Sequence, residues 1–158
     1  MRILLDTTYL LPVIGIAVKE LPKDALLKAL KRGNEVVISQ ISLFELAAKG
    51  AKYVKEGSLK PETVAKGIRA LVYNDEIDIL SIEDTRLLLV AFELRRMLND
   101  FIDCLILSAA INNCDALITE DTAIQNLRNH PQFNELLKTS NSSFRIITLS
   151  DIAAGQKT

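Results

Sequence analysis

Four carboxylates far apart in this chain, Asp6, Glu45, Asp103 and Asp121, have surroundings that point to one shared task. Asp103 is the least expected of them. It lies in Phe101-Ile102-Asp103-Cys104-Leu105-Ile106-Leu107, and Ala109, Ala110 and Ile111 continue the run, so the helix is apolar nearly all round, as a helix buried inside a domain is. An unpaired carboxylate near the start of such a helix costs on the order of several kcal/mol, so Asp103 needs a partner. Ala116-Leu117-Ile118 then reads as a short buried strand, followed at once by Thr119-Glu120-Asp121 and a new helical stretch from Thr122. A second acid therefore stands where a strand ends. Arg2-Ile3-Leu4-Leu5 is a similar strand ending on Asp6, and Glu45 falls in the first turn of a helix expected to begin near Leu43.

Each acid alone has an ordinary structural explanation. Ser42-Leu43-Phe44-Glu45 fits the capping box, in which a Glu three residues after a Ser ties off a helix start, and Asp100 to Asp103 has similar spacing. Asp6 and Asp121 stand where Asp is favoured as a cap. Taken jointly they read differently. Four acids on one edge with no fixed basic residue beside them repel by about 1–4 kcal/mol per close pair, and a bound cation removes that repulsion. All the candidate ligands are hard oxygen donors without a Cys/His cluster, which selects magnesium or manganese over zinc. Thr119, with Thr7 or Thr8, is placed to steady these carboxylates by hydrogen bonds.

The elements that must position these groups alternate. Strands are expected at Arg2–Leu5, Glu35–Ile38, Ile77–Leu80, Ala116–Ile118 and Phe144–Thr148. Helices are expected from Pro22, with Ala25, Leu26, Ala29 and Leu30 on one face and Gly33-Asn34 as a stop; from Leu43 to about Glu56; from Pro61 through Leu71; and from Glu83 to Leu98. Pro12 and Gly15 break the stretch from Tyr9 to Val18. The pattern gives an α/β domain with a mostly parallel sheet, whose ligand site lies beyond the carboxyl ends of the strands where strand order reverses. Neighbouring strands stand about 4.8 Å apart, close enough for the four acids to share one ion.

The bulk numbers are those of one globular domain. The chain has 158 residues, 49% hydrophobic and 25% charged, and 19 Lys+Arg against 20 Asp+Glu leave a net charge of -1. That balance argues against a protein that coats nucleic acid without specificity, while leaving room for a local basic patch. Cys104 and Cys114, if both on one helix, lie about 15 Å apart and are read as reduced thiols. With no signal peptide and no apolar run long enough to cross a membrane, the expected location is the cytoplasm. His130 and the scattered Tyr9, Tyr53 and Tyr73 are read as core or surface residues, without a part in chemistry or base stacking.

Taken together, Asp6 after a first apolar strand, Ser42-Leu43-Phe44-Glu45-Leu46, Asp103-Cys104-Leu105-Ile106 with Ala110, and Leu117-Ile118-Thr119-Glu120-Asp121 resemble a PIN domain. The chain is most similar to the VapC-like ribonuclease toxins of prokaryotic toxin–antitoxin pairs. The resemblance implies a three-layer α/β/α domain over residues 1–150, with 151–158 as a tail, and a parallel sheet in the order 3-2-1-4-5. It implies one or two Mg²⁺ or Mn²⁺ ions on Asp6, Glu45, Asp103 and Asp121, and hydrolysis of single-stranded RNA leaving a 5′-phosphate and a 3′-hydroxyl. A homodimer and an antitoxin partner are implied as well. The chain departs from some members where Thr122-Ala123-Ile124 follows Asp121 without a further acid, which bears on a second metal ion.

Lys49, Lys52, Arg95 and Arg96 are candidate contacts to RNA phosphates. The polar helical pair around residues 55–66, and the apolar Leu11, Val13, Ile14, Ile16 and Val18 of the broken segment, are candidate surfaces for a second copy or an antitoxin helix, or else part of the core. Two other readings compete with this one. Ile3-Leu4-Leu5-Asp6 begins like the nucleophile motif of haloacid-dehalogenase-like phosphatases, but the acid those enzymes place two residues later is Thr8 here. A PIN-like domain that binds RNA or protein without turnover is the alternative; it gains nothing from clustering unpaired charge.

Overall fold

The computed structural model describes residues 1–19, 21–31 and 33–154; the side chain of Leu30 and residues 155–158 of the expected tail lie outside the described part. Five strands, β1 (Arg2–Leu5), β2 (Glu35–Ser39), β3 (Ile77–Leu80), β4 (Ala116–Ile118) and β5 (Arg145–Ile147), pair in parallel in the order β3-β2-β1-β4-β5. The register sets Leu4 beside Val37 on one side and Leu117 on the other.

Because successive strand residues face opposite ways, the sheet carries two cores. Leu4, Val37, Leu117 and Ile146 face α4 (Thr85–Leu94), α5 (Phe101–Asn113) and α7 (Pro131–Ser140). Ile3, Leu5, Val36, Ile38, Ala116 and Ile118 face α1 (Ala25–Lys31), α3 (Pro61–Val72) and the two 3₁₀ turns Thr7–Tyr9 and Leu11–Ile14. The long helix α2 (Gln40–Lys55) gives Ile41 to the first core and Leu46 to the second, so it crosses an end of the sheet rather than lying on one face. Helices on both faces of a parallel sheet are the three-layer arrangement expected.

Several details differ from the sequence reading. The helix α2 starts three residues early, because Ser39 rather than Ser42 caps it by accepting the Ile41 N–H at 3.2 Å. The helix α4 ends at Leu94, its last turn closed by the Arg95 N–H on the Ala91 carbonyl at 3.0 Å; beyond it the Arg95 guanidinium donates to the Leu98 carbonyl at 2.7 Å. Residues 151–154, read as tail, belong to a further helix, α8 (Leu149–Ala154). In the broken segment, Ile14 and Ile16 are core residues and Leu11 and Val13 pack against them, so this stretch completes the core instead of offering a bare groove. The exposed large apolar side chains include Leu88, Leu89 and Phe92 of α4, Val72 and Tyr73 at the end of α3, Phe44 and Ile102.

Gly67 has a packing reason: a Cβ there would stand 2.5 Å from the Val13 carbonyl oxygen. That close approach lets α3 lie directly on the second 3₁₀ turn.

Candidate active site

The topology fixes where the acids go. The strand order reverses beside β1, since β2 and β4 flank it and lead outward in opposite directions. Asp6 leaves β1 and Thr119 leaves β4 at the same level, with the Asp6 N–H donating to the Ile118 carbonyl at 3.1 Å. The 13 residues of α5 run about 20 Å and turn through Cys114-Asp115 into β4, so the first turn of α5, with Asp103, lies at the carboxyl edge as well.

Asp6 is buried and held from two sides. Its Oδ1 accepts the Thr7 N–H at 2.7 Å and its Oδ2 accepts the Thr119 hydroxyl at 2.6 Å. Burial pushes this carboxyl above the usual carboxylate range; the hydrogen bonds from Thr119 and Thr7 pull the other way, Glu45 adds to the rise and Lys49 opposes it. Thr119 joins two acids, because the same hydroxyl oxygen accepts the Asp121 N–H at 3.0 Å. Asp121 Oδ1 in turn accepts the Ala123 and Ile124 N–H groups at 2.7 and 3.0 Å, capping α6 (Thr122–Asn126). The cap uses one oxygen; among the described residues Oδ2 has no hydrogen bond, so Asp121 serves as a cap without closing off a second role.

Asp103 is half-buried and, among the described residues, has neither hydrogen bond nor ion pair. Its neighbour Asp100 caps α5 by accepting the Ile102 N–H at 2.8 Å. Burial, then the charges of Asp100, Asp6, Asp121 and Glu45, push the Asp103 carboxyl up to about 7. Among the described residues, no cation of this chain is the partner its sequence context demands.

Glu45 departs from expectation. With α2 beginning at Gln40, it lies in the second turn, and the buried Ser42 hydroxyl has no partner among the described residues, so the capping box does not form. Instead Glu45 accepts an ion pair from Lys49 at 2.9 Å, which places one basic residue beside the acids after all. Of the other basic candidates, Lys52 is exposed on α2, Arg95 is engaged with Leu98, and Arg96 pairs with Glu93 at 3.3 Å. Thr7 contributes its N–H to Asp6 while its buried hydroxyl has no partner; Thr8 makes no side-chain hydrogen bond among the described residues.

As the side chains stand, no three Asp, Glu, Cys or His among the described residues form a group that would hold a metal ion. The four acids share an electrostatic field rather than a closed coordination shell. Their chemistry still suits a hard divalent cation: oxygen donors throughout, an Asp103 without counter-charge, and the unpartnered Thr7 hydroxyl next to Asp6.

Glu120, between Thr119 and Asp121, is not among the acids that the sequence singles out. One of its oxygens accepts the hydroxyl of the buried Tyr9 and also the Leu149 N–H at 3.1 Å. It thereby ties together the segments that follow β1, β4 and β5. Burial raises the Tyr9 phenol, and Glu120 adds to the rise. His130 is half-buried before Pro131 with an unpartnered Nδ1, rather than fully at the surface. Cys104 and Cys114 are free and buried, with thiols pushed up to about 11 by burial, which suits packing rather than chemistry. A cleft of about 750 Å³ between the end of α4 and α7, lined by Glu93, Arg96, Met97, Pro131 and Glu135 among others, contains none of the four acids.

The fold agrees with comparison to known proteins. The PIN domain family model matches residues 3–129, and the chain belongs to the PIN domain family. Among solved structures it is similar to VapBC2 from Rickettsia felis bound to a DNA fragment from the promoter, at 21% identity and a TM-score of 0.60 over 94% of this chain and 98% of that one. It is also similar to a toxin–antitoxin complex from Klebsiella pneumoniae, at 19% identity and a TM-score of 0.55 over 83% and 94% of the respective chains. At these identities the likeness is one of fold. No curated protein matches the chain.

Proposed function

We propose that this protein is a Mg²⁺- or Mn²⁺-dependent ribonuclease that hydrolyses single-stranded RNA, and that it is the toxin of a toxin–antitoxin pair. PIN domains are in general nucleases and typically depend on divalent metal, which supports the class. The observation that supports the reading is the electrostatic coupling of Asp103 to Asp6, Asp121 and Glu45, with no hydrogen bond or ion pair to Asp103 among the described residues. A divalent cation bound there supplies charge neutralisation at the phosphate and a more acidic water. Asp6 and Asp121 would be its firmest ligands, since Thr119 and the Thr7 amide hold the Asp6 carboxylate in place and α6 holds Asp121. Asp103 and Glu45 would complete the set. Lys49 and Lys52, on the same helix as Glu45, are the nearest candidates to take RNA phosphates.

The toxin role draws on the two neighbours of known structure, both toxin–antitoxin assemblies. An antitoxin needs an apolar face, and α4 offers Leu88, Leu89 and Phe92, with Phe92 stacked on Phe101 of α5. A homodimer belongs to the same reading, as does a cytoplasmic location; among the described residues no helix is long and apolar enough to cross a membrane. Incubating the protein with an end-labelled, unstructured RNA in Mg²⁺, Mn²⁺ or chelator tests the chemistry: cation-dependent fragments with 5′-phosphate and 3′-hydroxyl ends are expected, and intact RNA under every condition overturns it. A small upstream reading frame, overlapping the gene and encoding a DNA-binding pattern, is expected for the toxin role.

A further inference from the structure

Lys49 stands one helical turn beyond Glu45 on α2, with its Nζ 2.9 Å from Glu45 Oε1. Its charge also reaches Asp6, where it opposes the rise caused by burial. The other basic candidates hold different positions: Arg95 is fixed on the Leu98 carbonyl, Arg96 on Glu93, and Lys52 has no ion pair among the described residues. The backbone beneath Lys49 cannot withdraw it. The next residue, Gly50, brings α2 so close to α3 that a Cβ there would stand 2.6 Å from Val64 Cγ1, and Leu46, one residue after Glu45, is fully buried. Only the side chain of Lys49 is free to move, and it is long, flexible and partly exposed.

We infer that Lys49 is a resident counter-ion of the acid site: it occupies Glu45 in the cation-free chain, competes with the divalent cation for that carboxylate, and once displaced takes a phosphate of the RNA. The inference rests on the metallonuclease reading above and adds an order of events to it. An i,i+4 pair with a partly exposed lysine is weakly held. A dication that gains several carboxylates at once displaces it readily. The released ammonium stays within one turn of Glu45, a ready counter-charge for a phosphodiester drawn to the same place.

The test is titration of the whole protein with Mn²⁺ alone, following the electron paramagnetic resonance signal of the free ion, for the wild type, Lys49→Met, Lys49→Gln, Lys52→Met and Asp103→Asn. Removing one competing unit charge beside a divalent ion in a largely solvated setting tightens Mn²⁺ by about three- to tenfold in both Lys49 variants. Lys52→Met stays within about twofold of the wild type. With RNA at saturating Mn²⁺, Lys49→Met raises KM, the opposite sense to its effect on the metal. Unchanged or weaker Mn²⁺ binding in both Lys49 variants overturns the inference. If Asp103→Asn weakens Mn²⁺ binding while the Lys49 variants do not tighten it, only the counter-ion role fails; if the wild type binds no Mn²⁺, or Asp103→Asn binds it equally well, the metal-site reading fails and this inference with it.

Discussion

Asp103 governs the pH behaviour expected of this fold. Its carboxyl stands at about 7 when folded, through burial and then four neighbouring acids, against an ordinary value of 3.8. Between those values the folded chain keeps a proton that the unfolded chain has lost, so stability falls as pH rises from about 4 to about 7 and levels off above. Asp6, also raised by burial, acts in the same sense. Because Asp103 is only half-buried, solvent screening leaves about 1–2 kcal/mol of effect. In chelator, Asp103→Asn is therefore expected to exceed the wild type in stability by that amount at pH 8 and to match it near pH 4, by urea denaturation at each pH. Divalent cation removes the wild-type deficit and leaves the variant unmoved. Thr119→Val works in the opposite direction. It deprives Asp6 Oδ2 of its donor and the Asp121 N–H of its acceptor, at a cost of about 1–3 kcal/mol. Since the lost donor favours the charged form of Asp6, the cost is larger at pH 8 than at pH 5, measurable by the same method.

At the scale of elements, the joints between segments decide more than the segments do. Ala in place of Gly67 puts a Cβ 2.5 Å from a backbone carbonyl that has no rotamer to change, so α3 must lift from the Leu11–Ile14 turn. A loss of about 2–3 kcal/mol, or roughly 5–10 °C in Tm, is expected by thermal melting. Tyr9→Phe removes the hydroxyl that Glu120 accepts; about 1–2 kcal/mol is expected, with faster amide exchange in α8, whose first amide shares that carboxylate oxygen.

These joints were the part least legible in the sequence. Arg2–Leu5, Ile77–Leu80 and Ala116–Ile118 could be read off directly, because short apolar runs flanked by polar residues leave little choice of boundary. The start of α2 could not, because Ser39 and Ser42 both offer a cap and only the end of β2 decides between them. The Lys49–Glu45 pair follows from ordinary i,i+4 spacing, but its presence beside the acids depends on how α2 crosses the sheet. Glu120 carried only the weak signal of its neighbours, since its partners Tyr9 and Leu149 are distant in sequence.

For the molecule as a whole, pattern and comparison agree on the strand order and on the PIN family, and the proposed activity is assigned to the four acids. The Arg2 side chain, paired with Glu35 and with Asp78 at 2.9 Å, binds β1, β2 and β3 at the amino edge, far from those acids, so the two ends of the sheet have separate duties. The most direct test compares wild type and Asp103→Asn on a mixed single-stranded RNA with Mg²⁺ or Mn²⁺, both shown by melting to be folded. Cation-dependent cleavage by the wild type is expected, with a loss of at least about 100-fold in the variant, the scale expected when a site loses a ligand that positions its metal. Equal cleavage by both would remove Asp103 from the site. No cleavage by either, with no stabilisation by metal, would contradict the account and leave a PIN domain that binds without turnover.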